Sequence, residues 1–168
     1  MHFYKERNLE KIYKIGIISD THGLLRKEVL DILKTCDYII HGGDIDKESI
    51  LEELKSIAPL FVVRGNNDKG KWSENLSEEL YFSIGNINFY MIHNKKNANK
   101  DLKNVDVAVF GHSHKYFHEN IDDIMWINPG SCGKRRFNLP INMAIMTITD
   151  KNIEIEKLDI SVEYKMKK

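Results

Sequence analysis

The chain has 168 residues, of which 42% are hydrophobic and 30% are charged, and these values predict one globular domain spanning residues 1–168. Its 25 Lys and Arg residues balance its 25 Asp and Glu residues, which argues against a protein that binds nucleic acid stably. No apolar run reaches the roughly 20 residues that span a bilayer, and the charged start (MHFYKERNLEKIYK) lacks the apolar core of a signal peptide, so we expect a cytoplasmic protein without membrane contact.

The first half of the chain alternates short apolar runs with amphipathic segments. The apolar runs predict buried strands at 14–19, 37–41 and 60–64, and the apolar spacing between them predicts helices at 26–35 and 46–57. Strand, helix, strand, helix, strand is the pattern of βαβ units. We therefore predict a parallel sheet in this half.

The second half is dominated by pairs of strand-like runs. Paired strands are predicted at 80–84 with 87–93, at 115–120 with 124–128 and at 142–149 with 152–160, and a single buried strand at 105–110. The polar segment 95–104 predicts a short helix or a loop. Both halves together favour an α/β fold with two layers of sheet flanked by helices.

Side chains that suit metal ions follow several of these strands, at the point where each strand ends. They are Asp20 and His22 after the first strand, Asp44 after the second, Asn66 and Asp68 after the third, His93 at the end of 87–93, and His112 and His114 after 105–110. Ligand sites in open sheets form outside the carboxyl ends of parallel strands. Each motif alone has a plainer interpretation as a cap or a turn, but their conjunction favours a site.

A mixed set of carboxylate, imidazole and amide ligands suits first-row metals such as Mn, Fe, Co, Ni or Zn better than Ca or Mg. A carboxylate such as Asp44 has two oxygens and can bridge two ions. Two ions about 3.5–4 Å apart clamp the attacking and leaving oxygens of a displacement at phosphorus, and they lower the pKa of bound water. The residues therefore point to metal-dependent chemistry on phosphate esters.

The ordered motifs resemble those of the calcineurin-like metallophosphoesterases. They are Asp20-x-His22, Gly43-Asp44, Gly65-Asn66-x-Asp68, His93 and Gly111-His112-x-His114. The short length and the later Asn128-Pro129-Gly130-Ser131 are similar to the small phosphodiesterase branch, and the resemblance covers residues 15 to about 136.

The resemblance implies a four-layer αββα sandwich with two mixed β-sheets and a site for two divalent metal ions. It implies that Asp20, His22, Asp44 and His114 hold the first ion, and that Asp44, Asn66, His93 and His112 hold the second, with Asp44 bridging. The candidate catalytic residues are Asp20, Asp44, Asn66, Asp68 and His112. Of these, Asp68 is expected to orient a neighbouring group rather than to bind metal.

One position departs from the pattern of many larger relatives. Asn67 stands where they carry a His that can protonate the leaving group. An amide cannot donate a proton at neutral pH, so we expect a preference for activated esters and a gain of activity on poor leaving groups in Asn67→His.

The expected function is a dinuclear phosphodiesterase in which a metal-bound hydroxide attacks a small phosphate diester. A phosphomonoesterase or nucleotide phosphatase on the same site is the first alternative, and it needs cations such as Arg64, Lys134, Arg135 or Arg136 for the extra charge. The second is a non-catalytic protein-binding scaffold, because a retromer subunit shares this fold. The complete set of ligands favours catalysis. Edge pairing of the final strands is the route by which a homodimer would form.

Overall fold

The computed structural model describes residues 11–136 and 138–161. Every predicted strand and helix occurs there, one of them (142–149) with the predicted ends and the others with one or both ends shifted by up to two residues. In chain order the elements are β1 (Ile12–Ile18), α1 (Lys27–Leu33), β2 (Tyr38–His41), α2 (Glu48–Ile57), β3 (Leu60–Val62), β4 (Glu79–Ile84), β5 (Ile87–Ile92), β6 (Val107–Val109), β7 (Tyr116–Ile121), β8 (Ile124–Pro129), β9 (Asn142–Thr149) and β10 (Asn152–Asp159). Two single 3₁₀ turns occupy Lys71–Ser73 and Lys95–Asn97.

The strands form two five-stranded sheets with the orders β10-β9-β1-β2-β3 and β4-β5-β6-β8-β7. Each sheet is mixed, because three neighbouring strands run parallel and the other two strands join them through antiparallel pairs. The parallel sets are β1, β2 and β3 in the first sheet and β5, β6 and β8 in the second. The carboxyl ends of each set therefore lie at one end of their sheet, where ligand sites form.

The main core lies between the two sheets. In β1, Ile15 and Ile17 point into this core, whereas Ile18 points towards the helices on the other side. This alternation follows from the two-residue period of a strand. Gly16 also faces the helices, and its missing Cβ leaves room for the side chain of Leu33 in α1.

The outer faces of the two sheets are covered differently. Helices α1 and α2 pack on the first sheet through buried side chains such as Val29, Leu33 and Leu54. The second sheet is covered by the turn Lys95–Asn97 and the coil after it. Four of the eleven residues from 94 to 104 are Asn, which favours caps and turns over helix interiors. The predicted α/β class with two mixed sheets is confirmed, and its fourth layer is this turn and coil.

No helix among the described residues is both long enough and apolar enough to cross a lipid bilayer.

Candidate metal centre

The loops that follow the parallel strands of both sheets meet at one end of the sandwich. Within the first sheet, the Asp20 N–H donates a hydrogen bond to the Gly43 carbonyl over 3.0 Å. Across the sheets, the Ser131 hydroxyl donates to the Asp20 carbonyl over 2.9 Å. The residues predicted from separate strand ends are thus brought into one cluster.

Asp20, His22 and His114 form the first group of candidate ligands. One ligand atom from each lies within 4.8 Å of the other two. The Asp20 Oδ1 atom is 3.3 Å from His114 Nε2 and 3.7 Å from His22 Nε2. All three side chains are buried, so they are shielded from competing water. A carboxylate and two imidazoles in this arrangement suit a first-row divalent ion.

Asp20, Asp44 and His93 form a second group, again with one ligand atom each within 4.8 Å. The His93 Nδ1 atom lies 2.7 Å from the Gly42 carbonyl, which places a proton on Nδ1. The His93 Nε2 atom, free of that proton, is 3.2 Å from Asp44 Oδ2. Asp44 Oδ2 is also 3.7 Å from His22 Nε2. Asp44 therefore lies between the two groups.

Asn66 and His112 complete the cluster on its solvent side. Asn66 Oδ1 is 3.2 Å from His112 Nδ1, and the rings of His112 and His93 are 5.2 Å apart. Together with His93 they line a cleft of about 380 Å³. All seven predicted ligands are thus contiguous, and the cleft gives a substrate access to them from the side of Asn66 and His112.

His112 and His114 are two residues apart but do not lie on one face of an extended strand. Strand β6 ends at Val109, and both histidines lie beyond it with positive φ angles of 73° and 64°. His112 contacts Asn66, whereas His114 contacts Asp20 and His22. The two side chains therefore serve different parts of the cluster.

Three buried side-chain atoms of the cluster have no hydrogen-bond partner among the described residues. They are Asp20 Oδ1, His93 Nε2 and His114 Nδ1. Buried polar atoms without partners are rare in folded proteins, because each loses its hydration without compensation. A divalent cation would supply the missing partner for Asp20 Oδ1 and His93 Nε2. The donor set therefore fits a metal.

The cluster keeps its carboxylates charged. Burial alone raises the pKa of Asp20, but the neighbouring His114 and His22 imidazoles outweigh it and hold the pKa well below its usual range. Burial opposes ionisation of Asp44 as well, and His93 outweighs it so that the Asp44 pKa is lowered. The nearby carboxylate of Asp20 raises the pKa of His22. For His93 burial lowers the pKa, but the carboxylates of Asp44 and Asp20 outweigh it and raise the pKa. Without a metal, the carboxylates therefore stay ionised and the two histidines bind protons more readily than free histidines do.

Asp68 lies behind Asp44 and shapes its loop. The Asp68 Oδ2 atom accepts hydrogen bonds from the N–H groups of Asp44 and Gly65 over 3.0 and 2.8 Å. Its Oδ1 atom accepts from the N–H groups of Ile45 and Asp46 over 2.8 and 2.9 Å. These contacts tie the loop after β2 to the loop after β3, so that Asp44 is presented in one orientation.

Asn67 also contacts Asp44. Its N–H donates to Asp44 Oδ1 over 2.9 Å, and its side-chain amide donates to Asp44 Oδ2 over 3.0 Å. The residue singled out as a missing proton donor is thus a hydrogen-bond partner of a candidate ligand. A histidine at this position would have to give up the amide contact.

The segment Asn128–Ser131 packs beside the site. The Asn128 side-chain amide donates to the Gly111 carbonyl over 3.0 Å and to the Ser113 hydroxyl over 3.1 Å. These bonds brace the loop that carries His112 and His114.

Two residues that support the site were missed by the sequence reasoning. Asp46 Oδ2 is 3.0 Å from His22 Nδ1, which leaves His22 Nε2 directed at the carboxylates. His41 is fully buried, accepts from the Gly43 N–H at Nδ1 and contacts the Thr21 hydroxyl through Nε2, both over 3.0 Å. Burial lowers the pKa of His41 to about 4, so it stays neutral. Asp46 follows Asp44 by two residues, which was the available signal.

Six residues of the site have a left-handed backbone, with φ between 47° and 73°. They are Asp20, His22, Asp44, Asp46, His112 and His114. Residues other than glycine rarely adopt this conformation, although Asp, Asn and His are enriched among those that do. Such strained residues concentrate at functional sites, where the surrounding structure enforces them.

Comparison with known proteins gives the context for this geometry. Residues 13–151 match the calcineurin-like phosphoesterase superfamily domain. The chain is 30% identical over 162 residues to a probable metallophosphoesterase of Methanothermobacter thermautotrophicus, covering 88% of this chain and 90% of that protein. It is 28% identical over 139 residues to a phosphodiesterase of Methanocaldococcus jannaschii, covering 71% of this chain and 84% of that protein.

Solved structures share the fold. An archaeal phosphodiesterase superposes with a TM-score of 0.70 at 24% identity, over 86% of this chain and 99% of that chain. Vps29 of Chaetomium thermophilum superposes with a TM-score of 0.71 at 16% identity, over 87% of this chain and 97% of that chain. With a domain match over most of its length and an Asp and His cluster at the shared end of its two sheets, the chain belongs to the calcineurin-like phosphoesterase superfamily.

Proposed function

We propose that this chain is a phosphodiesterase that hydrolyses small phosphate diesters with two divalent metal ions. The observation that carries the proposal is the pair of buried, unpartnered atoms Asp20 Oδ1 and His93 Nε2, which face each other across 3.9 Å. Asp20, His22, Asp44 and His114 would hold one ion, and Asp44, Asn66, His93 and His112 the other. When bound, such ions polarise phosphoryl oxygens and lower the pKa of water towards neutrality.

The chain's own residues set up this chemistry before any substrate arrives. Asp46 fixes the tautomer of His22, and the Gly42 carbonyl fixes that of His93. Asp68 and Asn67 hold Asp44 from its backbone and from its carboxylate. The substrate would enter through the cleft lined by Asn66, His93 and His112.

Diester hydrolysis is favoured over monoester hydrolysis by two observations. One relative is named a phosphodiesterase. The second observation is the placement of the four cationic side chains that could bind the extra charge of a monoester. Among them only Arg64 lines the cleft, where it is paired with Glu78, while Lys134, Arg135 and Arg136 are exposed on a loop outside the cleft lining.

A protein-binding scaffold is the second candidate, because Vps29 proteins share the fold. The intact cluster of candidate ligands favours catalysis over this role. Location in the cytoplasm, a single domain over residues 1–168 and a homodimer stay predictions from the sequence.

The test is hydrolysis of bis(p-nitrophenyl) phosphate by metal-stripped protein, with Mn, Ni, Zn or Mg restored separately. We expect turnover only with added metal, faster than on p-nitrophenyl phosphate, and two ions bound per chain. Asp44→Ala should lose both ions and the turnover, whereas His112→Ala should lose one ion.

Two bound ions without turnover of either ester would favour the scaffold. Full turnover and full metal content in Asp44→Ala would overturn the assignment of the site.

A further inference from the structure

The cleft beside the candidate metal centre carries an ion pair on its wall. Arg64 Nη2 lies 3.1 Å from Glu78 Oε1, and both residues line the cleft that contains Asn66, His93 and His112. The backbone supports this pairing, because the Arg64 N–H donates to the Ser77 carbonyl over 2.9 Å. The pair is therefore set by the chain segments that form the wall.

This pairing changes the positive charge that the cleft wall adds to that of the metal ions. Arg64 and Lys69 are the arginine and lysine side chains in its lining, and Glu78 offsets the charge of Arg64. A phosphate diester carries one negative charge, whereas a monoester carries nearly two above its second pKa of about 6. Because Coulomb energy scales with the product of the charges, an unpaired Arg64 would favour the monoester more than the diester.

We infer that Glu78 is a specificity-determining residue, which disfavours phosphate monoesters by holding Arg64 in an ion pair. This inference rests on the proposed function of the same site. The Glu78 side chain is 78% exposed and the Arg64 side chain 35% exposed. Glu78 can thus be replaced with little loss of packing, while the packing that holds Arg64 at the wall remains.

The experiment compares Glu78→Gln, Arg64→Gln and the double variant with the parent chain, each loaded with the metal that gives the highest turnover. The probes are p-nitrophenyl phosphate and bis(p-nitrophenyl) phosphate, which share a leaving group, at about pH 8, where the monoester is doubly charged. Glu78→Gln should raise kcat/KM about fivefold for the monoester and about twofold for the diester. These factors correspond to the interaction energies of exposed ion pairs. The double variant should lose this gain, because the gain depends on Arg64.

Glu52→Gln is the matched control, since Glu52 is exposed on helix α2 and does not line the cleft. This variant removes the same charge and should leave the ratio of kcat/KM for the monoester to kcat/KM for the diester unchanged. The inference is overturned if Glu78→Gln leaves that ratio at the parent value, or if the double variant retains the gain.

A binding measurement separates this inference from the proposed function. Calorimetric titration of the metal-loaded variants with methyl phosphate and dimethyl phosphate should show the same shift in preference. In a chain that bound both probes without hydrolysing either ester, the missing turnover would count against the proposed function alone. An unchanged binding preference in Glu78→Gln would count against the role of Glu78 alone.

Discussion

Asp46 acts on the site through His22 without being one of the candidate ligands. Its carboxylate is the partner of His22 Nδ1 at 3.0 Å, and it is itself held by the bond from its N–H to Asp68. Carboxylates that orient a metal-binding histidine raise its basicity and fix its ring, and their loss weakens metal binding about 10- to 100-fold.

Asp46→Asn should therefore weaken metal binding about tenfold, at the low end of that range because the amide oxygen can still accept a hydrogen bond. Asparagine also tolerates the left-handed backbone that Asp46 adopts. Calorimetric titration with Mn or Zn measures the change. Asp31→Asn, on the exposed side of helix α1, is the control and should bind metal like the parent. If Asp46→Asn and Asp31→Asn bind metal with equal affinity, Asp46 has no role in metal binding.

At the residue scale, the sequence predicted the candidate ligands better than the residues that hold those ligands in place. The seven candidate ligands follow strand ends, and strand ends are visible as the close of an apolar run. His41 is the last residue of β2, and in the sequence it looks like part of the strand. Its bond to Thr21 exists only once β1 and β2 are paired. Contacts between distant loops have no signature in a single sequence.

At the scale of elements, the strands and helices were predicted, and many of their ends differ by one or two residues. Helix α1 stops at Leu33, short of the predicted residue 35. The reason is that Asp37 bonds to Lys14 through both its N–H and its carboxylate, which holds the chain next to β1 directly before β2 begins. The 3₁₀ turn Lys71–Ser73 was not predicted, because it follows Gly70 at a φ of 103° and has no apolar period of its own.

The loop after β2 depends on Asp68 for its shape. Four backbone N–H groups converge on this carboxylate, and hydrogen bonds to charged groups contribute about 1.5–3 kcal/mol each. We expect Asp68→Ala to lower the free energy of unfolding of the metal-free protein by about 2–4 kcal/mol, since water replaces part of the loss. Urea unfolding after metal removal measures this effect separately from metal binding.

Asp31→Ala, at an exposed helix position, should change the same quantity by less than about 0.5 kcal/mol. A similar small change in Asp68→Ala would mean that the loop holds its shape without the carboxylate.

At the scale of the whole molecule, the candidate site joins the two sheets. Asp20, His22 and Asp44 come from the first sheet, and His93, His112 and His114 from the second. An ion shared between them would bind only when both sheets are in place. Metal binding should therefore stabilise the fold as a unit.

We expect added metal at about 100 times its dissociation constant to stabilise the stripped protein by roughly 2.7 kcal/mol per ion. For a chain of this length, that corresponds to a rise in Tm of about 5–10 °C per ion. Differential scanning calorimetry measures it, and Asp44→Ala should show no rise. A rise in that variant equal to the parent's would place the stabilising ion elsewhere.

The same stabilisation should shrink as pH falls. The raised pKa values of His22 and His93 mean that protons occupy these ligands already above pH 6.5, and metal must displace them. The stability of the metal-free chain changes with pH in the opposite direction. A raised folded-state pKa contributes stability below pH 6.5, and this stability is lost as pH rises through the folded-state value. The difference in Tm between loaded and stripped protein should thus fall from about pH 8 to about pH 6, and a constant difference would contradict this assignment.

The left-handed backbone at six positions of the site also limits how this chain can drift. Aspartate, asparagine and histidine tolerate that conformation, and glycine accepts it freely, whereas valine, isoleucine and threonine do not. A lineage released from selection for catalysis would therefore exchange these ligands among a few residue types, and would retain the loop shapes long after the chemistry had gone. The end of the sandwich would persist as a rigid, polar surface available for a new use.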